Sequence, residues 1–312
     1  MKRRNFMNHL SAGMAGAGLA ACGGGNAGGT GTKPTFVLVH GAWHGGWCWS
    51  EVVRLLAEQG YPAIALDLPG HGITARFPVS YIAQPQNTGA LSTEVSPLVT
   101  LTLNDYRDHV LNVIRGLVKD GSGPVILVGH SLGGATLSAV AEADPTLVRR
   151  LVYLTAFVPV AFQTVIEYLM QPNFATSEVP PLFVADPTAV GASRINHNST
   201  DAAYLAKDKS AFYHDVSDVA FPAVANLLTP DEPIKAFTTP VGATAARWGS
   251  VPRSFIRCTG DRAIPLAVQD KMIADADNFT PGNKFVQKTL ATSHSPFVSN
   301  PPAVVEALIS MA

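Results

Sequence analysis

Three polar residues that lie far apart in the chain have the side-chain types of a nucleophilic catalytic site. Ser131 is at the centre of the pentapeptide GHSLG at 129–133, and Asp261 and His294 follow it in the chain. A serine hydroxyl becomes a nucleophile when a histidine takes its proton and a carboxylate holds that histidine in the correct tautomer. We therefore predict that Ser131 is a nucleophile, that His294 is its general base, and that Asp261 orients the imidazole.

The residues around Ser131 predict a sharp turn between a strand and a helix. An apolar run at 124–128 precedes the pentapeptide, and a helix-forming segment at 135–143 follows it. The pattern G-x-S-x-G in this setting pushes the serine hydroxyl out of the sheet edge, and its glycines let neighbouring backbone approach closely. The helix N-terminus and the N–H of Leu132 would then stabilise a developing oxyanion. The alternative is a chance pentapeptide in a loop, and the flanking strand and helix disfavour it.

A second oxyanion donor is predicted in the glycine-rich turn at 41–46, which directly follows the apolar run TFVLVH at 35–40. Such a turn points backbone N–H groups into a cleft, and the N–H of Ala42 is the natural partner of the N–H of Leu132. Each donor of this kind is worth roughly 3 kcal/mol of barrier. A phosphate-binding loop is the alternative, but the spacing does not match G-x-G-x-x-G and no Lys-Ser/Thr pair follows.

The elements that must position these residues alternate between strand and helix. Strands are predicted at 35–40, 62–66, 124–128, 150–154, 253–258 and 284–290, and helices at 49–59, 102–119 and 135–143. This alternation predicts an α/β fold with a mostly parallel central sheet and helices on both faces. Asp261 and His294 lie just beyond the ends of two of the strands, so we expect them at the sheet edge that carries Ser131. A capping box of Thr102 and Asp105 and a long surface loop at 74–99 are also predicted.

The alternation of strand and helix patterns fades between residues 157 and 248, which predicts an insertion between core strands. We predict a core at 34–157 and 249–312 and a lid at 158–248 that covers the cleft. Short helical pieces are expected at 202–206 and 217–228. Eight lid residues are predicted to wall an apolar pocket, although for any one of them packing onto the core is the alternative: Phe162, Val165, Tyr168, Leu169, Phe174, Phe212, Tyr213 and Phe221.

Four other residues compete for the catalytic roles. His71 is a candidate base, but it precedes Ser131, and we interpret it as a turn residue of the stretch DLPGHG at 67–72. Asp215, Asp231 and Glu232 are candidate acids, but they lie in the predicted lid and follow no core strand. We therefore rank Asp261 above them.

The bulk composition is that of one large globular core. Of the 312 residues 47% are hydrophobic and 14% are charged, and the net charge is −1. The sequence has no basic stripe after its first few residues, so we expect no nucleic-acid partner. Cys48 and Cys258 belong to no cysteine-rich or metal-ligand pattern and are predicted to be small buried residues, so we expect neither a metal nor another cofactor. The oligomeric state is not specified by the sequence.

The first 22 residues have the pattern of an export signal. A basic start at 2–4 and a short Ala/Gly/Met-rich run resemble a twin-arginine signal, and LAAC at 19–22 resembles a lipobox. We expect lipidation of Cys22, a flexible tether at 23–33, and a location on the periplasmic or cell-surface side of a membrane. The alternative is an ordinary signal peptide with an incidental cysteine.

Six stretches of the chain resemble the α/β-hydrolase fold, in particular the branch that contains plant methylesterases, hydroxynitrile lyases and bacterial esterase relatives. They cover nearly the whole chain after the signal: FVLVHGAWHGGWCW at 36–49, ALDLPGHG at 65–72, ILVGHSLGG at 126–134, LVYLTAFVP at 151–159, RWGSVPRSFIRCTGDRAIP at 247–265 and SHSPFVSNPP at 293–302. The resemblance implies a triad of Ser131, Asp261 and His294, with oxyanion donors Ala42 and Leu132.

The resemblance leaves more than one reaction open. The similar lyases carry Thr or Asn where this chain has Gly41, and a lysine directly after the catalytic histidine where this chain has Ser295. We therefore expect hydrolysis of small, uncharged, apolar esters by a serine esterase without a cofactor. Cyanohydrin cleavage or acyl transfer on the same triad, and a ligand receptor with vestigial hydrolysis, are the alternatives.

Overall fold

The computed structural model of the protein describes residues 33–119, 121 and 123–312. The predicted export signal, Cys22, and residues 23–32 of the predicted tether lie outside the described residues. The strands are β1 (Phe36–Val39), β2 (Ala63–Leu66), β3 (Val125–His130), β4 (Val148–Leu154), β5 (Ala192–Arg194), β6 (Asp231–Pro233), β7 (Arg253–Cys258) and β8 (Val286–Leu290).

Within these described residues, six strands form a central sheet in the order β2-β1-β3-β4-β7-β8. Each neighbouring pair is parallel, with Val39 opposite Gly129 and Leu154 opposite Ile256. Both β1 and β3 are buried throughout, which explains their apolar runs. Because all six strands run the same way, the segments that follow β1, β3, β7 and β8 meet at one edge of the sheet.

Helices cover both faces of the sheet. Val37 and Val39 face a large apolar cluster that includes residues of the helices at 103–119, 133–143 and 266–279, whereas Phe36 and Leu38 face a second cluster with the helices at 50–58 and 301–309. The described helices are α1 (Ser50–Glu58), α2 (Val79–Ile82), α3 (Thr88–Leu91), α4 (Leu103–Lys119), α5 (Gly133–Ala143), α6 (Val165–Leu169), α7 (Pro187–Val190), α8 (Ala202–Tyr213), α9 (Phe221–Ala225), α10 (Ile234–Thr238), α11 (Leu266–Phe279), α12 (Pro296–Ser299) and α13 (Pro301–Ile309).

The start of α4 has the predicted capping box. The backbone N–H of Thr102 donates to Asp105 Oδ2 over 2.8 Å, and the N–H of Asp105 donates to Thr102 Oγ1 over 3.4 Å. These bonds satisfy N–H groups that have no partner inside the helix.

The prediction of a long surface loop at 74–99 was wrong in part. The segment contains the short helices α2 and α3, and Tyr81 and Leu91 are buried. Arg194 Nη1 donates to the carbonyls of Leu91 and Glu94 over 2.6 and 2.8 Å. The segment is therefore held by a partner 100 to 103 residues further along the chain, which its own polar composition could not indicate.

Residues 158–248, which we call the lid, consist of short helices and a separate two-stranded sheet in which β5 pairs antiparallel with β6. A fully buried bidentate ion pair joins the two strands, with Arg194 nitrogens 2.6 and 2.7 Å from the carboxylate of Asp231. The helical piece expected at 202–206 continues as α8 to Tyr213, and the piece expected at 217–228 contains only α9 as α-helix.

Cys48 and Cys258 are free and buried, as predicted, and burial raises the pKa of both thiols. In the described part of the chain, no helix combines the length and hydropathy that a membrane span requires.

Candidate active site

Ser131 lies on the turn between β3 and α5, as the pentapeptide predicts. Its φ of 52° is in the left-handed region, which a non-glycine residue seldom adopts, and its carbonyl accepts bonds from Gly134 N and Phe157 N over 3.1 and 3.0 Å. The backbone packs so closely here that a Cβ on Gly133 would lie 2.6 Å from the carbonyl oxygen of His40. The glycine at this position is therefore required by the approach of β1 to the turn.

The side chains of Asp261 and His294 meet at the same edge. His294 Nδ1 lies 2.6 Å from Asp261 Oδ2, and the exposed fractions of the two residues are 1% and 6%. The other carboxylate oxygen, Oδ1, accepts the backbone N–H groups of Ala263 and Ile264 over 2.7 and 2.8 Å. These donors hold Asp261 in one rotamer, so the carboxylate can fix the tautomer and the orientation of His294.

Thr155 is a site residue that the sequence analysis missed. It directly follows β4, has a φ of 38°, and donates its hydroxyl proton to Asp261 Oδ2, the oxygen that also contacts His294. A polar residue directly after a buried core strand was the available signal, and it is the same signal that led to Asp261.

The two predicted oxyanion donors face the site. Among the described residues neither Ala42 N–H nor Leu132 N–H has a hydrogen-bond acceptor, and both residues line the same cavity as Ser131. Two unpaired backbone donors beside a serine are the arrangement that stabilises an oxyanion.

Residues 40–44, which we call the oxyanion loop because they carry the predicted donor Ala42, are held by the lid. Trp43 has a φ of 62°, and its backbone N–H donates to Glu232 Oε2 over 3.2 Å. Its carbonyl accepts the N–H of Thr229 over 2.8 Å, and its indole N–H donates to the carbonyl of Ser193 over 3.0 Å. Three lid residues therefore fix a backbone conformation that an isolated chain would seldom adopt.

Glu232 is buried beneath this loop with two further partners. Tyr106 donates its hydroxyl proton to Oε1 over 2.8 Å, and His71 Nε2 lies 2.9 Å from Oε2, an ion-pair distance at an angle outside that of a hydrogen bond. Burial has the largest single effect on the pKa of His71 and lowers it, but Glu232, the carbonyl of Pro69 and Asp67 together outweigh burial and raise the pKa overall. His71 is a turn residue, as predicted, and it also lies against a buried acid, which the sequence analysis missed.

Three other buried histidines around the site are neutral. Burial lowers the pKa of His40, His44 and His130, that of His44 to about 3. His44 donates from Nδ1 to the carbonyl of Ala42 over 2.7 Å and accepts at Nε2 from the hydroxyl of Tyr213 over 2.5 Å. His130 donates from Nε2 to the carbonyl of His294 over 2.8 Å. Neutral rings thus orient the backbone on both sides of the cleft.

The competing acids have other partners. Asp231 pairs with Arg194, Glu232 holds the oxyanion loop, and Asp215 accepts the backbone N–H of Ser293 over 2.8 Å. Within the described residues, Asp261 is the only one of the four candidate acids that contacts the ring of His294.

A cavity of about 330 Å³ opens onto Ser131 and His294, and Ala42 and Leu132 also line it. Of the eight lid residues predicted to wall a pocket, Leu169, Phe174 and Phe212 do so, and the others pack elsewhere in the lid and core. Further apolar lining comes from Trp43, Phe157, Ile166, Met170, Val179, Pro180, Phe183, Pro187, Ile234, Phe237, Ala263 and Ile264, and two hydroxyls from Thr188 and Ser193. Among the residues at 33–119, 121 and 123–312, no Lys, Arg, Asp or Glu lines the cavity.

Known proteins are similar to this chain in sequence over most of its length. The pyrethroid hydrolase of Sphingobium wenxiniae is 29% identical over 283 residues, which cover 90% of this chain and 88% of the relative. The putative chloroplastic methylesterase 11 of Arabidopsis thaliana is 30% identical over 286 residues, which cover 89% of this chain. The chain spans 63% of that methylesterase and 56% of the related methylesterase 15.

Solved structures agree with these comparisons. A crystal structure of a pyrethroid hydrolase from Sphingobium faniae superposes with a TM-score of 0.67 at 26% identity and covers 89% of this chain and 97% of that chain. Polyneuridine aldehyde esterase, at 21% identity, shares the fold with a TM-score of 0.65 over 89% of this chain and 98% of its own. The model of the alpha/beta hydrolase family matches residues 36–307. With this match over most of its length, and with the serine turn, the parallel sheet and the inserted lid described above, the chain belongs to the alpha/beta hydrolase family.

Proposed function

We propose that the protein is a serine hydrolase that cleaves carboxylic esters of uncharged, apolar small molecules through an acyl-enzyme. The observation that carries this proposal is that a single cavity is lined by Ser131, His294, Ala42 and Leu132, while Asp261 holds the far side of the imidazole. A nucleophile, a base and two free N–H donors around one space are the parts that acyl transfer requires.

The mechanism follows from these positions. Ser131 Oγ attacks the ester carbonyl, and His294 Nε2 takes its proton. The carbonyl oxygen becomes an oxyanion, which the N–H groups of Ala42 and Leu132 stabilise. His294 then protonates the leaving alcohol. In the second half, water loses a proton to His294 and attacks the acyl carbon. The bond between that carbon and Ser131 Oγ then breaks, His294 returns its proton to Oγ, and the acid leaves.

The cavity supports an uncharged, apolar substrate. Transfer of an ion into a space without countercharges is costly, and the lining offers only the hydroxyls of Thr188 and Ser193 besides the reacting groups. The names of the relatives suggest two substrate types to test, methyl esters and pyrethroids. A volume of about 330 Å³ lies within the range of small-molecule sites.

The structure offers little support for cyanohydrin cleavage. A Cβ at position 41 would lie 2.6 Å from the Cβ of Ser131, so a threonine or asparagine there would require the serine turn or the oxyanion loop to move. Ser295 is fully buried and does not line the cavity. Acyl transfer to another alcohol uses the same groups as hydrolysis, and only the acceptor differs.

The direct test is the turnover of 4-nitrophenyl esters of increasing acyl length by the wild type and by Ser131→Ala. We expect the variant to lose several orders of magnitude in kcat, and we expect an organophosphate to add one adduct to Ser131 of the wild type. Unchanged turnover in the variant would refute the proposal. Release of cyanide from cyanohydrins would favour the lyase. Formation of new esters with added alcohols would favour the acyltransferase. A single turnover after which the ligand stays bound would favour the receptor.

We also propose that the protein is exported and anchored to a membrane through lipid on Cys22. The support is the sequence pattern at 1–22 alone. In the native host, Cys22→Ser should move the protein from the membrane fraction to the soluble fraction without changing its turnover. Retention of the variant on membranes would contradict the lipid anchor.

A further inference from the structure

Four consecutive lid residues, the last two of α8 and the two that follow it, contact three loops of the proposed site. The ring of Phe212 lies 5.8 Å from that of His294, and Tyr213 donates its hydroxyl proton to His44 of the oxyanion loop. His214 and Asp215, the next two residues, bond to the backbone of two loops. We call residues 259–265, between β7 and α11, the acid loop, and residues 291–295, between β8 and α12, the base loop. We call residues 212–215 the lid clamp.

The bonds of His214 and Asp215 lie one residue before the proposed acid and base. His214 Nε2 donates to the carbonyl of Gly260 over 2.8 Å, directly before Asp261. Asp215 Oδ2 accepts the N–H of Ser293 over 2.8 Å, directly before His294. Two adjacent lid residues thus hydrogen-bond to the two loops, each at the residue directly before the proposed acid or base.

The acid loop and the base loop hydrogen-bond to each other as well as to the lid clamp. Gly260 N–H donates to the carbonyl of Thr292 over 3.0 Å, so the two loops are already joined by a backbone bond. A Cβ on Gly260 would lie 2.9 Å from Thr292 O and 3.1 Å from His214 Nε2, which shows how closely the three segments pack. The lid clamp adds two contacts from outside the sheet to this backbone bond and to the contact between Asp261 and His294.

We infer that His214 and Asp215 are positioning residues, through which the lid sets the placement of the Asp261–His294 pair relative to Ser131. Neither side chain lines the cavity, so neither touches a substrate there. Displacements of about 1 Å in a catalytic group can cost roughly 100-fold in rate. The inference rests on the proposed function, and it makes this part of the lid a fixed component of the catalytic machinery.

The test compares deletion of each side chain with its closest replacement. Asp215→Ala and His214→Ala remove the acceptor and the donor, whereas Asp215→Asn keeps an oxygen acceptor and His214→Gln keeps an N–H donor near the position of Nε2. We expect the two alanine variants to lose roughly 10- to 100-fold in kcat with little change in KM, and the Asn and Gln variants to recover most of that loss.

Asp201→Ala is the matched control, because Asp201 caps the other end of α8 and contacts neither loop. It should lower the melting temperature and leave kcat close to the wild-type value. If the alanine variants at 214 and 215 lose no more kcat than Asp201→Ala, or if the Asn and Gln variants lose as much as the alanine variants, the inference is wrong.

A second readout separates this inference from the proposed function. The rate at which diethyl 4-nitrophenyl phosphate modifies Ser131 reports activation of the serine without requiring ester turnover. A wild type that reacts with this probe but hydrolyses no ester would contradict the proposed function, and the same variants would still test the clamp through the rate of modification. Equal modification rates in the wild type and both alanine variants would overturn the inference.

Discussion

Asp261 Oδ2 lies 2.6 Å from His294 Nδ1, and the same oxygen accepts the hydroxyl proton of Thr155. An amide at this position has one acceptor oxygen instead of two, so it can present an N–H group to the ring and favour the wrong tautomer. For Asp261→Asn we predict a fall in kcat of about 10⁴-fold with the fold intact. The checks are steady-state kinetics on 4-nitrophenyl esters and the melting temperature.

Asp218→Asn is the control for this change, because Asp218 is an exposed lid acid that pairs with Lys209. It should keep wild-type kinetics. A kcat for Asp261→Asn within a few-fold of the control would assign the role of the acid to another residue.

The oxyanion loop depends on Glu232, whose carboxylate accepts both Trp43 N–H and the hydroxyl of Tyr106. In Glu232→Gln a single amide oxygen must serve both donors, so the left-handed conformation of Trp43 loses part of its support. We predict a fall in kcat approaching the roughly 100-fold that follows loss of one oxyanion donor. Tyr106→Phe leaves both carboxylate oxygens of Glu232 available to the loop, so its kcat should fall far less. Equal losses of kcat in the two variants would contradict this explanation.

Several elements of the sheet could be predicted because buried parallel strands such as β1 and β3 are continuous apolar runs. The strand at 253–258 was predicted with the bounds that β7 has, and the order Ser131, Asp261, His294 then placed all three at one sheet edge. The fold of the core followed from these local patterns.

The partners of the site residues could not be predicted in the same way, since they come from distant parts of the chain. Tyr106 and Glu232, which meet beneath the oxyanion loop, are 126 residues apart, and neither lies in a motif. Asp215 was considered only as a competing acid, and its bond to Ser293 depends on where α8 ends in space. The lid has short helices with weak periodicity, so its sequence did not fix that position.

The buried neutral histidines make stability depend on pH. Burial holds the pKa of His44 at about 3 and lowers those of His40 and His130, whereas an unfolded histidine takes up a proton below about pH 6.5. The unfolded state therefore binds more protons in this range, and the free energy of unfolding falls as the pH drops below about 6.5. His71 acts in the opposite direction, because Glu232 raises its pKa despite burial, and its contribution is lost as the pH rises.

For His44→Gln we predict that the free energy of unfolding depends less steeply on pH than it does in the wild type. Between pH 7 and pH 5.5 the wild type should lose about 1 kcal/mol more free energy of unfolding than the variant, because one titrating group has been removed. Urea unfolding at the two pH values measures this difference. The absolute stability of the variant is not the readout, since the substitution also changes bonds to Ala42 and Tyr213. Equal losses in the two proteins would mean that His44 is not held neutral by the fold.

The rim of the cavity offers a test of the apolar substrate class. Met170 lines the cavity and its exposed fraction is 78%, so Met170→Glu can place a carboxylate at the entrance with little effect on folding. A long acyl chain would have to pass or contact this charge, and we predict a fall in kcat/KM of about tenfold, ~1.4 kcal/mol, for long-chain esters. The loss should appear in KM rather than kcat, because the rim contacts the bound substrate and the transition state equally.

Acetyl esters, whose acyl group has only two carbons, should be hydrolysed at the wild-type rate by Met170→Glu. Val219→Glu is the matched control: Val219 is a lid residue with an exposed fraction of 92% and does not line the cavity. It introduces the same charge into the same segment, so any general electrostatic effect on turnover would appear in both variants. Equal changes in kcat/KM for Met170→Glu and Val219→Glu, or an equal loss on acetyl and long-chain esters, would mean that the acyl chain does not leave the cavity past Met170.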